Sequence, residues 1–210
     1  MSREFTYEIA GIFPTPVLLT TLPRDFTEEE MDVVDECRYD VHQNVGNKTS
    51  NNNYVLNHPS MSQLLADCTI ALNCYIERVL SPLPENKVEG YITQSWINYT
   101  KENEFHHKHS HPNSYISGVL YFDADDQTDR INFYNERHSI IHNTTVSNYT
   151  PFNTDKWYFP VKTKSIIIFP SSLVHDVESK IGSNIRTSLS FNSFVRGTFG
   201  DNKALTELKL

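Results

Sequence analysis

Apolar positions change their period partway along this chain, from a helical spacing to the alternation of short strands. Residues 11–22, GIFPTPVLLTTL, form an apolar run whose Pro14 and Pro16 suit only an edge strand, because proline cannot donate to a ladder. Thr27 opens a helix. Thr27-x-x-Glu30 is a capping box in which each side chain satisfies a backbone N–H, and Met31, Val34 and Val41 follow at a roughly helical spacing. Turn chemistry makes the Asn-rich stretch from Asn44 to Asn53 a loop. A second helix covers Ser60 to Leu80, with Leu64, Leu65, Cys68, Leu72 and Ile76 as its core-facing stripe, until Pro82 and Pro84 end it.

From Glu89 onward, aromatic and β-branched runs predict strands at Tyr91 to Tyr99, Tyr115 to Phe122, Ile131 to Tyr134, Trp157 to Val161, Ser165 to Phe169 and Thr187 to Val195. Two helices followed by this many short strands imply a mainly β protein, a jelly roll buttressed on one side by helices. The expected layout is a single domain over residues 1–210, with helical support over about 24–85 and a β-core over about 88–196.

Composition narrows the function classes. A formal net charge of -8 argues against extended contact with nucleic acid or anionic membranes, which select a basic face. The start, MSREFTYEIAGIF, lacks the basic opening and apolar core of a signal peptide, and no apolar run approaches a bilayer span, so a soluble cytoplasmic protein is expected. Cys37, Cys68 and Cys74 are odd in number and show no CxxC spacing, which reads as reduced thiols.

The candidate chemistry lies in HHKHSHPNSYISGVLYF, residues 106–122. His109 and His111 stand two apart before an apolar run, and alternate residues of an extended chain face one side, so both imidazoles can converge on one ion. His175 follows another apolar run, IIIFPSSLV, far downstream. Two clustered ligands and one distant ligand match the facial arrangement that leaves non-haem iron with open positions, although imidazole alone does not choose the metal. His106 and His107 read as solvated loop residues ahead of a substrate contact at the mouth of the site, and His42, His58, His138 and His142 have no partner spacing.

Read at period two, RTSLSFNSFV places Arg186, Ser188, Ser190 and Asn192 on one polar face. Arg186 offers a planar fork for a carboxylate and Ser188 a further hydrogen bond, so a small dicarboxylate would fit that pair. If the register continues from His111, Tyr115 and Tyr121 share its inward face and line the same pocket. Asn98, two residues after Trp96 on a strand leading to the histidines, is a further candidate for binding a small ligand. The long polar segment Asn135 to Asp155 is the expected specificity element, and the run Asp123 to Asp126 a solvated turn, with Asp123 a displaced carboxylate ligand should His111 not bind.

His175 and Arg186 are 11 positions apart and Arg186-Thr-Ser188 has the RxS form, so this segment resembles the carboxyl-terminal motif of 2-oxoglutarate and Fe(II)-dependent oxygenases. HSHPNSYISGVLYF and FPSSLVHDVESKIGSNIRTSLSFN are similar to the HxHP...SGVYY and FPS.L.H.V...R.S.SFN signatures of a bacterial and phage group within that superfamily. The resemblance runs from about Trp96 to Phe194, and several separated motifs in order make it specific.

It implies a double-stranded β-helix, cupin-like, with Fe(II) as metal and 2-oxoglutarate as co-substrate. It further implies hydroxylation of an unidentified substrate with release of succinate and CO2. By that resemblance His109 and His175 are iron ligands, and Arg186 with Ser188 holds the distal carboxylate of 2-oxoglutarate. The broader superfamily carries Asp or Glu where this chain has His111, so His111 is either a third, neutral ligand or points elsewhere while water completes the shell. Two rivals remain at this level: a three-histidine cupin-type dioxygenase needing no 2-oxoglutarate, and a catalytically silent β-sandwich binding module. The substrate is open among a protein side chain, an amino acid and a small metabolite, and an exposed strand edge leaves a homodimer open.

Overall fold

The computed structural model describes residues 6–136 and 145–210. In chain order the elements are β1 (Leu18–Thr21), α1 (Glu28–Cys37), β2 (Val41–Gln43), β3 (Lys48–Ser50), α2 (Ser62–Val79), β4 (Glu89–Thr100), β5 (His106–His109) and β6 (Ile116–Asp123). There follow β7 (Arg130–Tyr134), β8 (Lys156–Pro160), β9 (Ser165–Pro170), β10 (His175–Val177), β11 (Arg186–Arg196), β12 (Thr198–Phe199) and β13 (Leu208–Lys209). A seven-stranded sheet in the order β1-β9-β6-β11-β4-β3-β2 faces a four-stranded sheet in the order β5-β10-β7-β8. The ladders within both sheets are antiparallel, and together they make the mainly β jelly roll of the double-stranded β-helix class, with the helices against the outer face of the larger sheet.

Burial on both faces explains why SIIIFP reads as an unbroken apolar run. Ile166 and Ile168 pack toward the helices with Leu64, Cys68, Leu72 and Ile76, while Ile167 and Phe169 pack between the sheets with Val119, Tyr121, Ile131 and Phe133. Each fully buried aliphatic side chain contributes roughly 1.5–3 kcal/mol by leaving water, so α2 is held mainly by this stripe. α1 begins as its sequence directs: Thr27 Oγ1 accepts from the Glu30 N–H at 3.2 Å, and the Glu30 carboxylate accepts from the Thr27 N–H at 2.9 Å.

Several expectations are corrected. The Asn-rich segment is not wholly loop, since β3 lies within it and pairs with both β2 and β4. His106 and His107 belong to β5, an edge strand beside β10, rather than to a solvated loop. At Gly118 the register against β11 is continuous, and a Cβ there would stand 2.2 Å from the Phe191 ring, so glycine is what lets that ring lie across the strand. His138, His142 and the middle of the Asn135 to Asp155 segment lie outside the described residues.

Candidate metal centre

β5 ends on His109, the chain turns through Ser110, and His111 donates its backbone N–H to the Ser171 carbonyl at 2.9 Å. The first residue of β10, His175, is opposite His109 in the ladder. These contacts bring the ligand nitrogens of His109, His111 and His175 within 4.8 Å of one another. A carbonyl can only accept, so the His107 carbonyl at 2.7 Å fixes the proton of His109 on Nδ1, and the Leu173 carbonyl at 2.9 Å does the same for His175. Both rings therefore present a bare Nε2. His111 Nε2 stands 3.3 Å from that of His175, close to the separation of two nitrogens bound to one ion at about 2.0–2.1 Å each.

Burial, reinforced by the neighbouring imidazoles, pushes His111 down to about 3 and His175 down to about 4, and burial lowers His109 as well. All three are neutral at physiological pH, the form that binds metal. No carboxylate joins them among the described residues. Asp176 is engaged elsewhere, accepting from Asn132 at 2.7 Å and from the Tyr134 hydroxyl at 2.6 Å. Asp123 is exposed and accepts from Asn184 at 3.2 Å.

A second cluster, His106, His107 and His109, has its ligand atoms equally close. It shares His109, whose one bare nitrogen can serve a single ion. His106 turns Nδ1 toward the Asn47 amide at 3.4 Å, and His107 does not line the cavity that the other three share with Arg186.

That cavity opens to solvent, and its wall includes Asn98, Tyr121, Arg186, Ser188 and Ser190. β4 and β11 pair in register with Asn98 opposite Ser188, so alternate residues of both long strands face inward. Asn98 Nδ2 donates to Ser190 Oγ at 2.9 Å. Tyr115 is not in the wall. It is 44 % exposed and packs against Phe194, because the turn after Pro112, with Asn113 at φ 55, breaks the alternation before β6 begins.

Arg186 differs from the free fork its sequence context suggests. Its Nη1 donates to buried Asp129 at 3.0 Å, and the fully buried Lys180 ammonium lies 3.6 Å from the other oxygen of the same carboxylate. Its Nη2 is buried with no partner, as are the Tyr121 hydroxyl and the Asn98 side-chain oxygen. A buried donor left unpaired costs about 1–3 kcal/mol, more for a charged group, so Arg186 Nη2 and the Tyr121 hydroxyl ask for an anionic, hydrogen-bonding ligand in the cavity, while the Asn98 oxygen asks for a donor. Three neutral imidazoles and two unpaired donors suit a divalent metal with a carboxylate-bearing co-substrate. Asp129, Lys180 and the cavity-lining Thr100 were not singled out by sequence, and the cavity-lining His106 was read as a solvated loop residue.

Fold and site together put three neutral imidazoles and a buried arginine on one cavity of a jelly roll. Residues 94–192 match the family model described as "Putative 2OG-Fe(II) oxygenase", and that segment bears the whole histidine triad and the Arg186 wall. Among solved structures, an oxidoreductase of the 2OG-Fe(II) oxygenase family from Burkholderia pseudomallei is 14 % identical with a TM-score of 0.55, over 84 % of this chain and 83 % of its own. The epimerase SnoN of nogalamycin biosynthesis, in complex with Fe3+, alpha ketoglutarate and nogalamycin RO, is 10 % identical with a TM-score of 0.58, over 87 % of this chain and 81 % of its own. A prolyl-4-hydroxylase from Pseudomonas putida is 13 % identical with a TM-score of 0.52, over 85 % of this chain and 92 % of its own. At these identities the likeness concerns the fold. A search of curated proteins found no match. No described helix is long and apolar enough to cross a membrane.

Proposed function

We propose that the protein is an Fe(II)- and 2-oxoglutarate-dependent oxygenase that hydroxylates its substrate and releases succinate and CO2. His109, His111 and His175 would hold the metal, which makes the shell three neutral imidazoles rather than two and a carboxylate. Arg186 Nη2 and the Tyr121 hydroxyl would take the distal carboxylate of 2-oxoglutarate, with Ser188 and Asn98 beside them. Bound iron and 2-oxoglutarate would supply the oxidising power; the chain's own part is to hold the co-substrate at its charged end and keep water from the reacting centre.

The observation that carries this reading is the pair of orphaned buried donors, Arg186 Nη2 and Tyr121 Oη, in the same cavity as the triad. Hydroxylation is chosen as the simplest outcome of the family's chemistry; the similar structures include an epimerase as well as a hydroxylase. The three free cysteines favour a reducing compartment, hence the cytoplasm. The test is oxygen-dependent formation of succinate from 2-oxoglutarate by the iron-loaded protein, which Arg186→Ala should abolish.

The all-histidine triad favours a second reading, a cupin-type dioxygenase that binds iron without 2-oxoglutarate. Iron uptake with no dependence of any activity on 2-oxoglutarate would select it.

A further inference from the structure

Outside the triad the cavity opens into a broader cleft, and Trp96, His106, His109 and His111 line both, so whatever occupies the cleft abuts the metal centre. β4 supplies its floor. Gln94, Trp96 and Asn98 alternate along one face of the strand, with Gln94 in the outer cleft, Asn98 in the inner cavity and the half-buried Trp96 at the junction.

The lining of the cleft has a distinct chemistry: among the described residues it contains no Lys, Arg, Asp or Glu, although the inner cavity is built on Arg186. Some of its polar groups are already engaged. His42 has Nδ1 at 2.9 Å from the Asn51 side-chain oxygen and Nε2 at 2.9 Å from Thr49 Oγ1, which fixes the ring as wall. Others are free: the exposed side chains of Gln94 and Asn53 have no hydrogen bond among the described residues, and the Nδ1 of His107 is buried without a partner.

We infer that this cleft binds an uncharged, hydroxyl-rich substrate, a neutral sugar or glycoside, with its ring against Trp96 and its hydroxyls on the Gln94 and Asn53 amides. A sugar hydroxyl both donates and accepts, and an amide places a donor beside an acceptor, so the two satisfy each other with no charge on either side. Apart from a metal on His109 and His111, a phosphate or carboxylate would meet no Lys or Arg among the described lining residues, and an ammonium would find no carboxylate there. The C–H face of a pyranose is apolar and covers an indole.

The inference rests on the oxygenase reading for its consequence, hydroxylation of that sugar, but binding can be tested apart from it. Saturation-transfer NMR on the metal-free protein, with maltose, lactose, cellobiose, sucrose and trehalose as probes, reads the cleft directly. Glucose 6-phosphate and a blocked neutral tetrapeptide serve as rivals. The expected result is transfer to one or more of the neutral saccharides and little to the rivals. Binding should weaken about fivefold in Gln94→Ala and in Asn53→Ala, the loss of one neutral hydrogen bond each. Both are exposed side chains, and a melting curve will show that the variants fold. Absence of transfer to every saccharide, preference for the phosphate or the peptide, or binding indifferent to both substitutions would overturn the inference. The oxygenase reading falls separately, if the iron-loaded protein shows no interaction with 2-oxoglutarate whatever the cleft binds.

Discussion

The two ends of the cavity are built in opposite ways. The metal end hangs on short elements, the last residue of β5, a turn and the first residue of β10, and its groups are uncharged imidazoles held by backbone carbonyls. The carboxylate end stands on β4 and β11, the longest strands, and contains a buried charge network in which one carboxylate, Asp129, faces two cations. Imidazole binds a metal only in its neutral form, so the first end needs bare nitrogens in one place. The second needs a cation kept rigid and only partly neutralised, so that one arm of Arg186 is left for a ligand.

The contrast predicts that each end fails alone. Asp129→Asn should have the largest effect, because it leaves Lys180 and Arg186 buried with no counter-charge; breaking such a buried pair costs about 3–5 kcal/mol. Chemical denaturation should record that loss, while metal affinity of the folded variant stays near that of the parent. Equal losses at both ends would dissolve the distinction. His175→Ala is the converse. Outer-shell partners alone are worth roughly 10–100-fold in metal affinity, so removing a ligand should cost at least about a hundredfold in calorimetric Fe(II) or Ni(II) binding. Its melting curve should change far less than that of Asp129→Asn.

Arg186→Lys sharpens the second end. It keeps the charge and loses the planar fork, so the affinity for 2-oxoglutarate should fall roughly 10–100-fold, the worth of one charged hydrogen bond, with metal binding intact. The smallest effect concerns pH. The folded protein holds His111 at about 3 and His175 at about 4, below the ordinary 6.5, so the unfolded chain binds more protons between those values. The stability they contribute is complete above about 6.5 and is lost as pH falls, by roughly 1 kcal/mol per histidine at pH 5.5. Denaturation of the metal-free protein at pH 7.5 and 5.5 should show this, and His111→Gln should flatten the slope.

The same contrast explains what was legible in the sequence. Long, doubly covered strands announce themselves as apolar runs or strict alternation, so β4, β6, β9 and β11 were readable nearly to the residue, and Arg186, Ser188 and Ser190 with them. The spacing of His109 and His111, and the placing of His175 after an apolar run, pointed to one cluster. What stayed hidden follows physical rules of its own. β5 is four polar residues and has no apolar period. β3 is short and owes its existence to pairing with β4. The ion network joins Asp129, Lys180 and Arg186 across up to 57 positions, and a long-range charge pair leaves no local pattern. Tyr115 failed because alternation holds only within a strand, and the turn at Asn113 precedes β6.

One measurement bears most directly on the central claim that these two ends form a single site for metal and 2-oxoglutarate. Under anaerobic conditions, Fe(II) is added to the protein and 2-oxoglutarate is then titrated in while the visible spectrum is recorded. The account predicts a metal-to-ligand charge-transfer band in the parent, absent from His175→Ala for want of metal and absent from Arg186→Ala at the same 2-oxoglutarate concentration although iron still binds. A parent protein that takes up iron and shows no band, or a band unchanged by Arg186→Ala, would contradict it.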